Sequence, residues 1–320
     1  MTGRITARVL SPFVEPVLLI ANADAGSTDA ARLEEALDVL RRSTDVEVAK
    51  TSGPGELDGV LHRRGGRTVV VAGGDGSLHA VVAALHRRNE LAETVLGLLP
   101  LGTGNDFARG TEIPLEPAAA AELLVTGDAR PVDLIVDCVG EIVVNNVHVG
   151  VGAEASRKAD KWKKHLGRAG YWMGAAKAAA NPPFYRFRVE VDGEVVADFD
   201  RHIAQVAIGN GSTVGGGTDL TPHADTADGK LDVMVSFATG PLARFGYAFQ
   251  LKLGRHPRRD DVVYVRGTQV SVAGQSFWCS ADGEIQGPER TRSWRLEPEA
   301  FRMILPPRTP QPAVDSVGAA

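Results

Sequence analysis

VVVAGGDGSL, at residues 69–78, decides the fold class of this 320-residue chain. An apolar run ends there in glycines, one carboxylate and a hydroxyl, and apolar residues then recur at helical spacing at Leu78, Val81, Val82 and Leu85. Glycine lets the backbone approach a ligand closely, and the free N–H groups at a helix start attract phosphate. The stretch predicts a strand, a phosphate-binding turn and a helix, with a plain tight bend as the alternative.

A second turn of the same kind follows one strand and one helix later, in LLPLGTGNDFAR at residues 98–109. Apolar runs of strand length alternate with helical patterns such as 30–42 and 77–88; the runs cover residues 17–22, 46–50, 68–72 and 95–100. This alternation is typical of a parallel sheet, whose ligands lie beyond the carboxyl ends of the strands. Both turns are therefore expected at one edge of the sheet.

From about Pro131 the pattern changes to short strands separated by turn residues, and helices become rare. The predicted strands cover residues 132–138, 141–149, 185–191, 194–199, 202–209, 230–236, 261–265 and 269–272. Such a series favours an antiparallel sandwich. We therefore predict a Rossmann-like, three-layer α/β domain over residues 15–132 and a larger β-sandwich over 133–305. The proline-rich stretch 306–320 is predicted to be a disordered tail.

The two glycine turns, GGDGS and PLGTGNDFA, together resemble the catalytic domain of diacylglycerol kinases, a family related to sphingosine and ceramide kinases. NADAG at residues 22–26 fits the family's Asn-Pro-x-x-Gly, with Ala23 in place of proline, and Ser77 stands where threonine is usual. The resemblance covers roughly residues 17 to 305. It implies an N-terminal ATP-binding domain, a β-rich second domain and an active site in the cleft between them.

The resemblance implies transfer of the γ-phosphoryl group of ATP to a lipid hydroxyl, with Mg²⁺. Diacylglycerol, giving phosphatidic acid, is the expected acceptor, and a sphingoid base, ceramide or another lipid alcohol is the alternative. The residues expected to contact the nucleotide are Asn22, Ala23, Asp24, Ala25, Gly26, Thr51, Gly73, Gly74, Asp75, Gly76, Ser77 and Thr103.

A carboxylate must accept the proton of the attacking alcohol. ADGE at residues 281–284 follows an apolar run and resembles the Asp-Gly-Glu that closes the lipid kinase active site. Glu284 is the predicted base, with Asp282 as the second candidate. Asp75 and Asp106 are predicted to orient Mg²⁺ or the nucleophile, and Asp75 is also an alternative base.

A structural Mg²⁺ site is implied by DTADGKLDV at residues 225–233, which resembles the family's Asp-Gly-x-Leu-Asp segment. By position its ligands would be Asp225, Asp228 and the backbone carbonyl of Lys230. Carboxylate and carbonyl oxygens suit this hard cation. The alternative is an Asp-Gly hairpin with solvated acidic side chains.

Composition narrows the class of partner. The net charge of −5 argues against a nucleic-acid partner, and the apolar runs are too short to span a membrane. Two cysteines provide neither a disulfide framework nor a zinc site. We expect a cytoplasmic protein that associates peripherally with membranes to reach its lipid substrate, with a homodimer left open.

Membrane contact is predicted at RKADKWKKHLGR, residues 157–168, where cations surround Trp162 and precede Tyr171 and Trp172. A smaller basic patch follows at residues 255–259. The alternative is a solvated helix face.

Other functions share parts of this pattern. NAD kinases and phosphofructokinases have a similar Gly-Gly-Asp-Gly turn, and a non-catalytic nucleotide- or lipid-binding protein would need no reactive carboxylate. No Gly-x-x-x-x-Gly-Lys-Ser/Thr motif occurs in the chain, so it is not a P-loop enzyme. The second glycine turn and the Asp-Gly-Lys-Leu-Asp segment favour the lipid kinases, and the retained carboxylates favour an enzyme.

Overall fold

The computed structural model describes residues 16–23, 27–150, 153 and 184–307. Three predicted features lie outside these residues: the end of the NADAG turn (24–26), the basic run at 157–168 with the nearby aromatic residues Trp162, Tyr171 and Trp172, and the tail from residue 308. No helix of the described part combines the length and the apolar character that spanning a bilayer requires.

The predicted α/β domain is confirmed. Its strands are β1 (Val17–Asn22), β2 (Val46–Thr51), β3 (Thr68–Gly73) and β4 (Val95–Pro100). Its helices are α1 (Ser27–Leu40), α2 (Pro54–His62), α3 (Asp75–Arg87), α4 (Asp106–Gly110) and α5 (Pro117–Thr126). The four strands are parallel in the order β4-β3-β1-β2, so the turns after β3 and β4 share one edge.

The second region is mostly antiparallel and β-rich, as predicted. Its elements are β5 (Asp128–Asp137), β6 (Ile142–Val143), β7 (Asn146–Gly150), β8 (Phe187–Val191), β9 (Glu194–Ala197), β10 (Gln205–Gly209), β11 (Thr213–Val214), β12 (Thr218–Asp219), β13 (Leu231–Ser236), α6 (Pro241–Lys252), a 3-10 turn (His256–Arg258), β14 (Val262–Gly267), β15 (Gln269–Ala281) and β16 (Glu284–Leu305).

The structure differs from the sequence-based prediction in several elements of this region, including the short strands β11 and β12, which were not predicted. The strand predicted over 141–149 is two strands, because the backbone N–H groups at 144–146 turn away to bind the Asp282 carboxylate. Helix α6 and the 22-residue strand β16 were not predicted. Charged residues interrupt the apolar pattern of β16, although Trp294, Phe301 and Met303 are all buried.

Strand β16 joins the two halves into one sheet, in the order β14-β13-β10-β7-β15-β16-β4-β3-β1-β2. Its first part pairs with β15, and Arg302 and Met303 pair in parallel with Val95 and Leu96 of β4. The last strand of the described residues therefore completes the core of the first domain. The division between residues 132 and 133 stays a prediction. The structure adds that β16 returns from the β-rich region to pair with a strand of the first domain.

Three clusters of buried residues form the core. The first packs α1, α2, α3 and α5 on the parallel strands and includes Phe301 and Met303. The second fills the β-rich region around Phe187, Phe277 and Trp294. The third is small, and α6 covers it.

Candidate active site

The two glycine turns contact each other through bare backbone. A Cβ atom on Gly102 would lie 2.5 Å from the Cα of Gly74, and the Leu101 N–H donates to the Gly73 carbonyl at 3.0 Å. Asn105 has a φ of 52° and donates its side-chain amide to the Gly102 carbonyl at 2.8 Å. Any side chain at either glycine would force the turns apart, which explains why glycine is needed there.

Asp75 binds the second turn to the first. Its Oδ2 accepts the backbone N–H of Asp106 at 3.0 Å, and its Oδ1 accepts that of Phe107 at the same distance. These N–H groups open α4, where a negative charge is favoured. The carboxylate of Asp75 therefore sets the position of Asp106.

Asp106 in turn binds a loop of the β-rich region. Its Oδ1 accepts the N–H groups of Gly216 and Gly217, each at 2.9 Å, and its carbonyl accepts the Thr213 hydroxyl at 2.7 Å. Burial raises the pKa of Asp106 and the charge of Asp75 adds to this, against the two N–H bonds that lower it. The structure thus brings together two of the four predicted catalytic carboxylates, Asp75 and Asp106.

Asp282 is a buried carboxylate with four donors. It lies at a φ of 46° in the turn between β15 and β16, and its side chain is 3% exposed. Oδ2 accepts from the Val144 N–H at 2.7 Å and the His79 Nδ1 at 2.9 Å, and Oδ1 accepts from the N–H groups of Asn145 and Asn146. These bonds connect α3 of the first domain to the β-rich region.

His79 follows Asp75 by one turn of α3. Desolvation lowers its pKa, but the hydrogen bond and charge of Asp282, together with the charges of Glu284 and Glu141, outweigh this and raise the pKa of His79. The sequence analysis did not identify His79, although its spacing of four residues from Asp75 places both on one helix face.

Glu284 is exposed and lines a cavity of about 760 Å³. Five of the residues predicted to contact the nucleotide also line this cavity: Asn22, Thr51, Gly74, Gly76 and Ser77. A smaller cavity of about 260 Å³ is lined by Asn22, Ala23, Gly73, Gly74 and Ser77. Thr103 is exposed in the second glycine turn. The structure therefore places Glu284 beside the predicted nucleotide site.

Asp75, Asp106 and Asp282 line a further cavity of about 520 Å³, called here the second cavity. His148 Nδ1 and Ser280 Oγ, both in lining residues, are buried and have no hydrogen-bond partner within the described part of the chain. Burial lowers the pKa of His148 to about 4, so its imidazole is neutral at physiological pH. Both groups are available to bind a polar molecule.

The predicted structural metal ligands have protein partners. Asp228 pairs with the Arg266 guanidinium, and Asp225 accepts the Ala227 N–H at 3.0 Å. Lys230 donates its backbone N–H to Asp228 at 3.0 Å. In the described ranges no group of three or more His, Cys, Asp or Glu side chains is arranged to hold a metal ion. Arg266 already supplies a cation, so these residues fit Mg²⁺ poorly, and the site stays a prediction.

Comparison with known proteins agrees with this geometry. Residues 16–136 match the diacylglycerol kinase catalytic domain, and residues 145–305 match the YegS C-terminal NAD kinase beta sandwich-like domain. A protein from Xanthomonas campestris pv. campestris (strain 8004), named "Probable lipid kinase YegS-like", is 34% identical over 302 residues, 87% of this chain and 92% of the relative. The chain belongs to the family of bacterial diacylglycerol kinase-like lipid kinases.

A protein from Pseudomonas aeruginosa PAO1, also named "Probable lipid kinase YegS-like", is 35% identical over 255 residues, which are 76% of this chain and 78% of that protein. The crystal structure of a diacylglycerol kinase from Bacillus anthracis str. Sterne has a TM-score of 0.73 and 25% identity, covering 92% of this chain and 98% of its own. The lipid kinase family that the two glycine turns indicated is therefore confirmed.

Proposed function

We propose that this lipid kinase transfers the γ-phosphoryl group of ATP to a lipid hydroxyl, with diacylglycerol as acceptor and phosphatidic acid as product. The main support for the proposal is the pair of hydrogen bonds that Asp75 accepts. They join the two glycine turns, which lie between the cavity of about 760 Å³ and the second cavity. The diacylglycerol kinase names among the similar proteins support the choice of acceptor.

The cavity of about 760 Å³ that Glu284 lines, called here the first cavity, is the proposed ATP site. Gly74, Gly76 and Ser77 present backbone at the start of α3, which suits phosphate binding. Asn22 and Thr51, at the ends of neighbouring parallel strands, line the same space. The nucleotide would therefore lie across the carboxyl edge of the sheet.

Mg²⁺ is proposed to accompany ATP, and it supplies neutralisation of the phosphate charge when it is bound. Asp75 and Asp106 are the residues that would hold it. A Cβ atom on Gly104 would lie 3.2 Å from Asp75 Oδ2 and 3.4 Å from Asp106 Oδ2, so both carboxylates converge on one point. Burial is the main cause of the raised pKa of Asp106 and the charge of Asp75 adds to it, and a bound cation would offset both.

Glu284 is proposed as the base. Gly283 lines the second cavity and Glu284 the first, so this carboxylate lies at the boundary that the phosphoryl group must cross. Asp282 already accepts four hydrogen bonds, which supports a positioning role for it instead.

The second cavity is the proposed acceptor site. His148 and Ser280 offer polar groups, while Leu220 and Leu251 add apolar surface. That combination suits the polar end of a lipid alcohol with acyl chains extending away. Because the acceptor is a bilayer lipid, we propose that the protein works in the cytoplasm at a membrane surface.

The test is transfer of labelled γ-phosphate from ATP to a panel of lipid alcohols in mixed micelles with Mg²⁺. We expect labelled phosphatidic acid, and a kcat lowered about 10²- to 10⁴-fold in Glu284→Gln with ATP affinity unchanged. Glu194→Gln, on an exposed β9 residue, is the matched control and should retain full activity.

Other results would change the assignment. Labelling of ceramide or a sphingoid base alone would replace the acceptor and keep the reaction. ATP binding with no labelled lipid would favour a non-catalytic binding protein, and labelled NADP would indicate a NAD kinase. Full activity in Glu284→Gln would move the role of base to Asp75.

A further inference from the structure

Helix α6 exposes an unusual run of large apolar side chains. Leu242 is 88% exposed, Phe245 77%, Phe249 57% and Leu253, just after the helix, 50%. Their spacing of three, four and four residues places them on one face of the helix. We call these four residues the α6 stripe. Other exposed apolar residues, such as Val139 and Val195, lie elsewhere in the chain.

The opposite face fixes the orientation of the helix. Tyr247 and Leu251 pack against the third core cluster, and the Tyr247 hydroxyl lies 3.4 Å from the sulfur of Met234. Tyr247 also meets the ring of His256 edge-on at 5.8 Å. Because this face is anchored, the α6 stripe faces away from the protein's core.

The chain segment that carries the stripe is positively charged. Residues 241–259 contain five Lys or Arg and no Asp or Glu, in a chain of net charge −5. Lys252, Arg255 and Arg258 are exposed. Arg259, the last residue of this segment, pairs with Asp261. An apolar stripe beside exposed cations is complementary to an anionic lipid surface.

The helix also borders the proposed acceptor cavity, because Leu251 lines the second cavity. One side of α6 therefore faces the acceptor space while the other carries the stripe. We propose that α6 docks this protein on an anionic bilayer: the stripe enters the boundary between headgroups and acyl chains, and Lys252, Arg255 and Arg258 contact lipid phosphates. This rests on the proposed function in that the acceptor is a bilayer lipid.

The docking surface consists of residues other than the basic run at 157–168 that the sequence suggested, which lies outside the described residues. The experiment measures binding of the full chain, without ATP, to phosphatidylcholine vesicles with and without phosphatidylglycerol. We expect binding to the anionic vesicles, and a partition coefficient at least about tenfold lower for the double variant Phe245→Ser, Phe249→Ser. The control double variant Val139→Ser, Val195→Ser also removes two exposed apolar side chains and should bind like the wild type.

A second measurement separates docking from catalysis. Phosphorylation of a short-chain, water-soluble diacylglycerol should be equal in wild type and the Phe245→Ser, Phe249→Ser variant, whereas phosphorylation in vesicles should fall only in the variant. Vesicle binding by a wild type that phosphorylates no lipid would refute the kinase and leave the docking surface standing. Equal vesicle binding by wild type and variant would overturn the docking surface.

A third measurement identifies what covers the stripe. A polarity-sensitive dye on Phe245→Cys, in a Cys138→Ser background, should shift to the blue only when anionic vesicles are added. A blue emission before vesicles are added would mean that another part of this chain or a second copy covers the stripe, with light scattering separating the two. That result would also overturn the proposal.

Discussion

At the scale of single residues, the buried carboxylate of Asp282 holds the site together. Three backbone N–H groups at residues 144–146 and the His79 imidazole all converge on it. Removing one partner of a buried, hydrogen-bonded charge leaves the others unsatisfied and costs more than the pair itself contributes. Asp282 therefore affects both stability and the placement of Glu284, two residues away.

We expect Asp282→Asn to lower the free energy of unfolding by about 3–5 kcal/mol, because an amide cannot accept from all four donors. Asp198→Asn is the control, since Asp198 pairs with Arg188 at a side-chain exposure of 46% and a surface pair contributes about 0–1 kcal/mol. Urea unfolding measures both variants. Equal losses would contradict the role assigned to Asp282.

The pH dependence of stability should reveal the His79–Asp282 pair. Because the folded-state pKa of His79 is raised from 6.5, its stabilisation is fully present below pH 6.5 and is lost as the pH rises through the raised pKa. The difference in unfolding free energy between wild type and His79→Gln should therefore be largest in acid and shrink in alkali. The same comparison in an Asp282→Asn background should lose the extra stabilisation in acid, because burial of His79 is then opposed only by the charges of Glu284 and Glu141; an unchanged profile there would exclude this pair as the cause.

At the scale of elements, the site depends on two turns meeting where each follows a parallel strand. Gly74 and Gly102 touch, and Asp75 ties the start of α3 to the start of α4. The backbone proposed to bind phosphate is thus a unit of two strands and two helices. A change in one turn is transmitted to the other.

We expect Gly102→Ala to destabilise the protein by about 1–3 kcal/mol and to weaken ATP binding, because its Cβ would overlap the backbone of Gly74. Gly55→Ala, in α2, has no heavy atom within 4 Å of its added Cβ and should cost no stability. Thermal melts and titration calorimetry with ATP check both variants. An ATP affinity equal to wild type in Gly102→Ala would refute the coupling of the turns.

At the scale of the whole molecule, the two halves share one strand. Strand β16 leaves the β-rich region, bulges between Glu297 and Phe301, and pairs with β4 and β5. Phe301, Met303 and Leu305 are then buried in the core of the first domain. The first domain consequently needs residues from the far end of the chain.

A chain ended after Pro298 should lose its native tertiary packing. Burial of Phe301, Met303, Ile304 and Leu305 contributes about 1.5–3 kcal/mol each, a sum comparable to a typical total stability of about 5–15 kcal/mol. A chain ended after Pro307 keeps all four and should melt like the full protein. Near-ultraviolet circular dichroism compares the two chains, and a native spectrum after truncation at Pro298 would contradict the shared core.

The sequence by itself determined the parallel sheet and the two glycine turns, because strand periodicity and turn glycines are local properties. The resemblance of these turns to a known family indicated the lipid kinases. The sequence also named the four carboxylates, since each lies within a recognisable turn. It did not reveal His79 as the partner of Asp282, Gly216 and Gly217 as the donors to Asp106, or Arg266 as the partner of Asp228.

Only the tertiary structure decided these pairings, because each partner lies far away in sequence and local patterns do not encode which turns meet. The same reason explains why β16 was not predicted. Charged residues interrupt its alternating apolar pattern, and only pairing with β15, β5 and β4 identifies it as a strand. That reason also explains α6: apolar spacing marks a helix, but packing alone determines that Tyr247 and Leu251 face the core while the α6 stripe faces outward.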